Sequence, residues 1–208
     1  MALQQSVVPI HWGYFLALED DLYTLARYVE FSQGNYETYS IEIARLLLSA
    51  CAEVDSVLKQ LVRKVMPDSP ARNISEYFDS VAAHSDKFVP FRVEIPRHGL
   101  ELRPWVDWTR HQPPAWWSAH NQVKHQRHSR FDQATLKHCL NAMAALLVAV
   151  LHLHADQAKD GKLVGLPKLF TVPPEMGGGQ QWGPLGHVQL FYLRDEENPM
   201  RGIGGQPA

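Results

Sequence analysis

Residues 40–67 read SIEIARLLLSACAEVDSVLKQLVRKVMP, and this stretch decides the fold. Ile43, Leu47, Ala50, Val54, Leu58, Leu61 and Val65 recur at steps of three and four. That spacing lines one face of an α-helix with apolar side chains. Ser40 stands where an N-cap is needed, and Pro67 and Pro70 end the helix. The polar positions include Arg45, Glu53, Asp55, Lys59 and Arg63. Glu42 with Arg45, and Asp55 with Lys59, are helical neighbours of opposite charge, each pair contributing roughly 0.2–0.5 kcal/mol.

On the N-terminal side, Leu18, Leu22, Leu25, Ala26 and Val29 predict a helix over about Asp20–Ser32, stopped by Gly34 and Asn35. On the C-terminal side, Asn73-Ile-Ser-Glu76 is a capping-box variant that opens a short helix to about His84, burying Ile74, Phe78 and Val81. Pro113-Pro114 launches another short helix, with Trp116, Trp117, His120, Val123 and Lys124. A last long helix is expected to start near Asp132 as N-cap, with Phe131 and Leu136 as the hydrophobic staple. From Cys139 to Leu153 it is apolar nearly all round, so it should be the buried central helix.

Two segments break the helical pattern. Phe91, Val93 and Ile95, then Leu100 and Leu102, alternate with charged residues around His98-Gly99. This period of two predicts a β-hairpin over about 88–105, kept to sheet edges by Pro90, Pro96 and Pro104. Residues 161–208 hold ten of the 13 glycines and six of the 14 prolines. They read as an irregular extension packed on the bundle or on a second protomer, with Gly177-Gly178-Gly179 a flexible loop and Val188–Tyr192 a strand. The expected class is therefore mainly α: a four- to five-helix bundle over 1–160, with an inserted β-hairpin and an irregular C-terminal extension.

Composition narrows the function classes. The chain has 208 residues, 45% hydrophobic and 20% charged, which suits a folded globular domain and not a disordered one. The longest strictly apolar run, Ala142–Leu151, is ten residues. A bilayer span needs roughly 20, so no membrane role is expected. Two cysteines, Cys51 and Cys139, are too few for a disulfide framework and read as core thiols in a reducing cytoplasm. The net charge of −2 hides an asymmetry: residues 1–86 carry 6 Lys/Arg against 12 Asp/Glu, whereas residues 87–137 carry 9 against 4. The basic middle third either complements the acidic first third or marks an anion site.

Seven of the 11 histidines lie between His111 and His154. A metal-dependent enzyme using this cluster is one alternative. Its geometry is poor, because His120 and His125 sit about 140° apart around a helix, and no His-Glu-x-x-His occurs. No metal and no cofactor are therefore expected. Trp105, Trp108, Trp116 and Trp117, set among Arg103 and Arg110, suggest either a base-stacking platform or core and interface anchors.

The run Trp116-Trp117-Ser-Ala-His-Asn121-Gln-Val-Lys124-His125-Gln-Arg127, followed by an apolar helix, resembles the signature segment of HEPN-like helical bundles. Ala44–Asp55 similarly resembles the long helix of HEPN-like bacterial proteins. The resemblance covers residues 20–160 in outline and is specific around 116–127 and 40–60. The family signature is Arg, four to six residues, then His, with a polar residue after the Arg. His125 takes the His position and Asn121 the polar one, while His120 stands in place of the Arg. The strict pattern occurs at Arg92–His98, inside the hairpin and with Pro96 within it, where it cannot serve. The resemblance implies a bacterial protein that binds RNA or a nucleotide-containing partner. Many members are metal-independent ribonucleases of toxin–antitoxin, phage-defence and RNA-processing systems, so a metal-independent ribonuclease of a defence or stress system is one expectation for this chain. It also implies a homodimer and a partner such as an antitoxin.

Metal-free RNA cleavage needs a base, an acid and a cation for the phosphorane charge. His125 can serve as base. Lys124, Arg127 or Arg45 can supply the cation, and Trp116 and Trp117 can stack on RNA. His120 can replace Arg only when protonated, and without the bidentate guanidinium. The alternative is a non-catalytic dimeric interaction module. There Asn121, Lys124 and His125 are structural, within side-chain reach of Glu53 or Asp55.

Overall fold

The computed structural model describes residues 8–183 and 186–191. The stretch at 40–67 forms α2, Ile41–Val65, and Ser40 Oγ accepts the Ile43 N–H at 3.1 Å as its N-cap. Its apolar face is buried from Ile43 to Val62, and Met66 leaves the helical region just before Pro67. The partner of that face is α6, Leu136–Leu153, which is enclosed on nearly all sides. Each fully buried Leu or Val along this seam contributes roughly 1.5–3 kcal/mol, far more than any exposed ion pair on the opposite face of α2. Flanking them are α1, Ile10–Leu25; α3, Ile74–His84; and α4, Ala115–His125.

The expected four- to five-helix bundle is corrected: the described residues form seven α-helices, the further two being α5, Arg127–Arg130, and α7, Ala155–Lys159. The backbone breaks at Gln126 (φ −132°, ψ 38°) and His154 (φ −107°, ψ 31°), splitting short helices from the ends of α4 and α6. Neither break uses Gly or Pro, so no punctuation residue announces it.

Two helix starts also differ. The first helix begins at Ile10, not near Asp20, because His11, Trp12 and Phe15 are part of the buried face. The last long helix is capped by Thr135, whose Oγ1 accepts the His138 N–H at 3.3 Å, while Phe131–Gln133 forms a 3-10 turn. The capping box at α3 forms, with Asn73 Oδ1 accepting from Ser75 N and Glu76 N. Glu76 reaches back to the N–H of Arg72 at 2.6 Å rather than to that of Asn73.

The hairpin pairs β1, Val93–Ile95, with β2, Leu100–Leu102, in the register Val93↔Leu102. Gly99 sits at φ 61° in the turn, a conformation that favours glycine. The outer edge of β1 is closed by Thr171, which exchanges two 2.9 Å backbone hydrogen bonds with Glu94. The extension is thus not irregular throughout. Residues 163–172 dock on α1 and β1, and β3, Gly178–Gly183, pairs antiparallel with β4, Gly186–Phe191. Gly178 and Gly179, expected in a flexible loop, lie in β3. A Cβ at Gly178 would fall 1.7 Å from the Val172 carbonyl oxygen, so this close approach requires glycine. Tyr192, expected to end the strand, lies outside the described residues.

A buried carboxylate fastens the extension. Glu19 on α1 accepts the backbone N–H groups of Lys168 (2.8 Å), Leu169 (2.8 Å) and Phe170 (3.0 Å). Burial pushes its carboxyl above the usual range, against the opposing pull of the three donors. Trp12 Nε1 adds a hydrogen bond to the Val164 carbonyl at 2.9 Å.

Candidate functional site

The short helix α4 is held in place by tryptophans. Trp116 Nε1 donates to the Pro104 carbonyl at 2.6 Å, and Trp108 Nε1 donates to the Ile74 carbonyl at 3.1 Å. Asp107 accepts the first N–H of α4, from Ala115, at 2.9 Å. These bonds bring α4 alongside α2 and the start of α3. The facing positions are Leu48, Cys51, Ala52 and Asp55 on α2, and Trp117, His120, Asn121 and Lys124 on α4. Each set runs i, i+3, i+4, i+7, one face of a helix. Arg72, Asn73 and Ile74 close the end. The result is a cleft of about 610 Å³, within the usual range for small-molecule sites.

The cleft has an apolar floor and a charged rim. Leu48, Ile74 and Trp117 form the floor, and Trp117 lies tilted against the His120 ring at 5.1 Å. His120 is 5% exposed, and its Nδ1 is buried with no hydrogen-bond partner among the described residues. Burial, reinforced by Lys124 and His125 and only partly offset by Asp55, lowers its pKa to about 4. It is therefore uncharged at neutral pH. Asp55 is already engaged: Lys59 Nζ donates to it at 2.5 Å and the Tyr77 hydroxyl at 3.4 Å. Asn73 and Glu76 are tied to one another at 2.6 Å. The Arg72 guanidinium and the Lys124 ammonium, by contrast, are exposed and have no carboxylate partner among the described residues.

The structure gathers some of the sequence-derived residues and separates others. His120, Asn121, Lys124, Trp117 and Asp55 share the cleft. No direct hydrogen bond joins Asn121 or Lys124 to Asp55 among the described residues. His125 is exposed at the last position of α4 and is not among the cleft residues. Arg127 is exposed on α5. Trp116 is buried with Trp105 and Trp108, so these rings are core rather than an open platform. Arg45 bridges Asp21 (2.7 Å) and Glu42 (2.5 Å), and both carboxylates raise its pKa.

Glu53 lies in a separate cluster. Its carboxylate meets His11 Nδ1 at 2.5 Å, and Gln60 meets His11 Nε2 at 2.6 Å. Arg72 and Asn73 were not among the sequence-derived site residues; Pro67 and Pro70 marked the end of one helix and Asn73–Glu76 the start of the next, but nothing local said which helix this segment would face.

Among the described residues no group of three or more His, Cys, Asp or Glu side chains is arranged to hold a metal ion. Cys51 and Cys139 are buried free thiols, and burial raises both, Cys139 to about 12. Comparisons with protein-family models, with curated proteins and with solved structures find no match to this chain.

Proposed function

We propose that this chain binds RNA, or a nucleotide-containing partner, in the cleft between α2 and α4. The observation that carries the reading is the pair of unpartnered cations, Arg72 and Lys124, beside an apolar floor of Trp117, Leu48 and Ile74. A base lies on that floor, the Asn121 amide reads its edge, and the cations take the phosphate. The HEPN-like resemblance belongs to this proposal and supports the ligand class, together with assembly as a homodimer.

Binding fits the geometry better than cleavage. A neutral His120 cannot do the work of a guanidinium, and His125 lies outside the cleft lining. The test is fluorescence anisotropy with a labelled single-stranded RNA ten-mer. Arg72→Ala and Lys124→Ala should each weaken binding by about fivefold or more and make the salt dependence shallower by about 0.7 in log–log slope. A wild-type chain that does not bind, or variants that bind as well as wild type, would refute the reading.

A further inference from the structure

A second, smaller pocket of about 260 Å³ lies on the other side of Arg72. Lys59, Val62 and Arg63 from the end of α2 line it, with Ser69, Pro70, Ala71 and Arg72 from the following loop. Three of these seven residues are cations, and none is acidic. Lys59 is held by Asp55, but Arg63 is exposed and has no carboxylate partner among the described residues. The Ser69 hydroxyl, 3.4 Å from the Ala71 N–H and 3.3 Å from Ser80 Oγ, adds a neutral polar group.

Arg72 is the shared wall of this pocket and of the cleft. The smaller volume and absence of an aromatic floor suit a phosphate rather than a nucleobase. We infer that the two pockets form one track for a single RNA strand. One nucleotide occupies the cleft, the next phosphate sits against Arg63 and Lys59, and Arg72 lies between the two phosphates. The ligand is then an oligonucleotide rather than a mononucleotide. This inference rests on the reading that the cleft takes RNA. Its own content is the second phosphate site.

The experiment compares two probes, adenosine monophosphate and a labelled oligoadenylate ten-mer, on the full chain. Wild type should bind the ten-mer more tightly. Arg63→Ala should weaken ten-mer binding about fivefold, and its salt slope should be shallower by about 0.7. Its affinity for adenosine monophosphate should be unchanged, and Arg63→Lys should keep most of the ten-mer affinity. Lys124→Ala should weaken both probes. If Arg63→Ala binds the ten-mer with wild-type affinity and slope while Lys124→Ala does not, the second site is overturned and the cleft stands. Equal wild-type affinity for the two probes also overturns it. If wild type binds neither probe, the cleft reading itself fails and the track with it.

Discussion

Replacing Glu19 with alanine tests how the extension is held. Glu19 is 1% exposed and serves three consecutive backbone donors, at Lys168, Leu169 and Phe170. Without it those N–H groups face a cavity. An unsatisfied buried donor costs about 1–3 kcal/mol. Water entry and local undocking relieve part of this, so the lower figure applies, and the three together come to about 3 kcal/mol. For a chain of this size that corresponds to a fall in Tm of about 6–12 °C. Glu19→Gln should fall between. Its carbonyl can keep the two bonds made by Oε1, to Leu169 and Phe170, while its amide opposes the Lys168 N–H. Thermal unfolding followed by circular dichroism measures the shift, and hydrogen exchange at residues 168–170 locates it. A Glu19→Ala variant that melts within about 2 °C of wild type, with those amides still protected, would refute the reasoning.

Other outcomes follow from the same structure. His152 is buried among Phe88 and Phe91, donates from Nδ1 to the Val148 carbonyl at 2.8 Å, and has its pKa lowered to about 4 by burial. Its folded pKa is below the unfolded value, so the unfolded chain takes up the proton first as pH falls. Stability should drop between about pH 6.5 and 4, by up to ~3 kcal/mol from this group. Urea unfolding across that range should show the slope, and His152→Leu should make it shallower, His120 supplying part of what remains. Labelled RNA incubated with wild type, with or without EDTA, should stay intact on a denaturing gel; cutting that His125→Ala abolishes would restore the ribonuclease reading. If the exposed face of α1 forms a homodimer, the double variant Ile10→Glu, Tyr14→Glu should sediment at 23.6 kDa and wild type at twice that. A wild-type chain at 23.6 kDa excludes that dimer.

The helix at 41–65 was legible because its apolar stripe is long and bounded by Ser40 and Pro67. The start of α1 was not, because this helix carries apolar residues on both faces: Ile10 and Tyr14 are exposed while Trp12 and Phe15 are buried. Asp132 and Thr135 are both acceptable caps locally. The choice falls to Thr135, where Tyr39 forms an isolated bridge and Leu136 donates to the Thr38 carbonyl at 2.8 Å. The α4 side of the site, Trp117, His120, Asn121 and Lys124, was readable in the sequence, and on α2 Asp55 was, whereas Leu48 and Ala52 were not singled out and Cys51 was read as a core thiol. The closing end, Arg72–Ile74, is placed by Trp108 donating across 34 residues to Ile74. Tryptophan density alone did not separate a stacking surface from a core, because indole rings serve both.

The bonds between Glu19 and residues 168–170 span about 150 positions of chain. At usual synthesis rates, about 8 to 30 seconds separate the appearance of the two ends of this contact. During that interval α1 has Trp12 without its Val164 acceptor, and β1 has an unpaired edge facing outward. Such an edge is a template for pairing with another chain. The contact is a long-range closure, and long-range closures are slow. Until Thr171 reaches Glu94, the edge of β1 is the place where the chain is open to pairing with another copy.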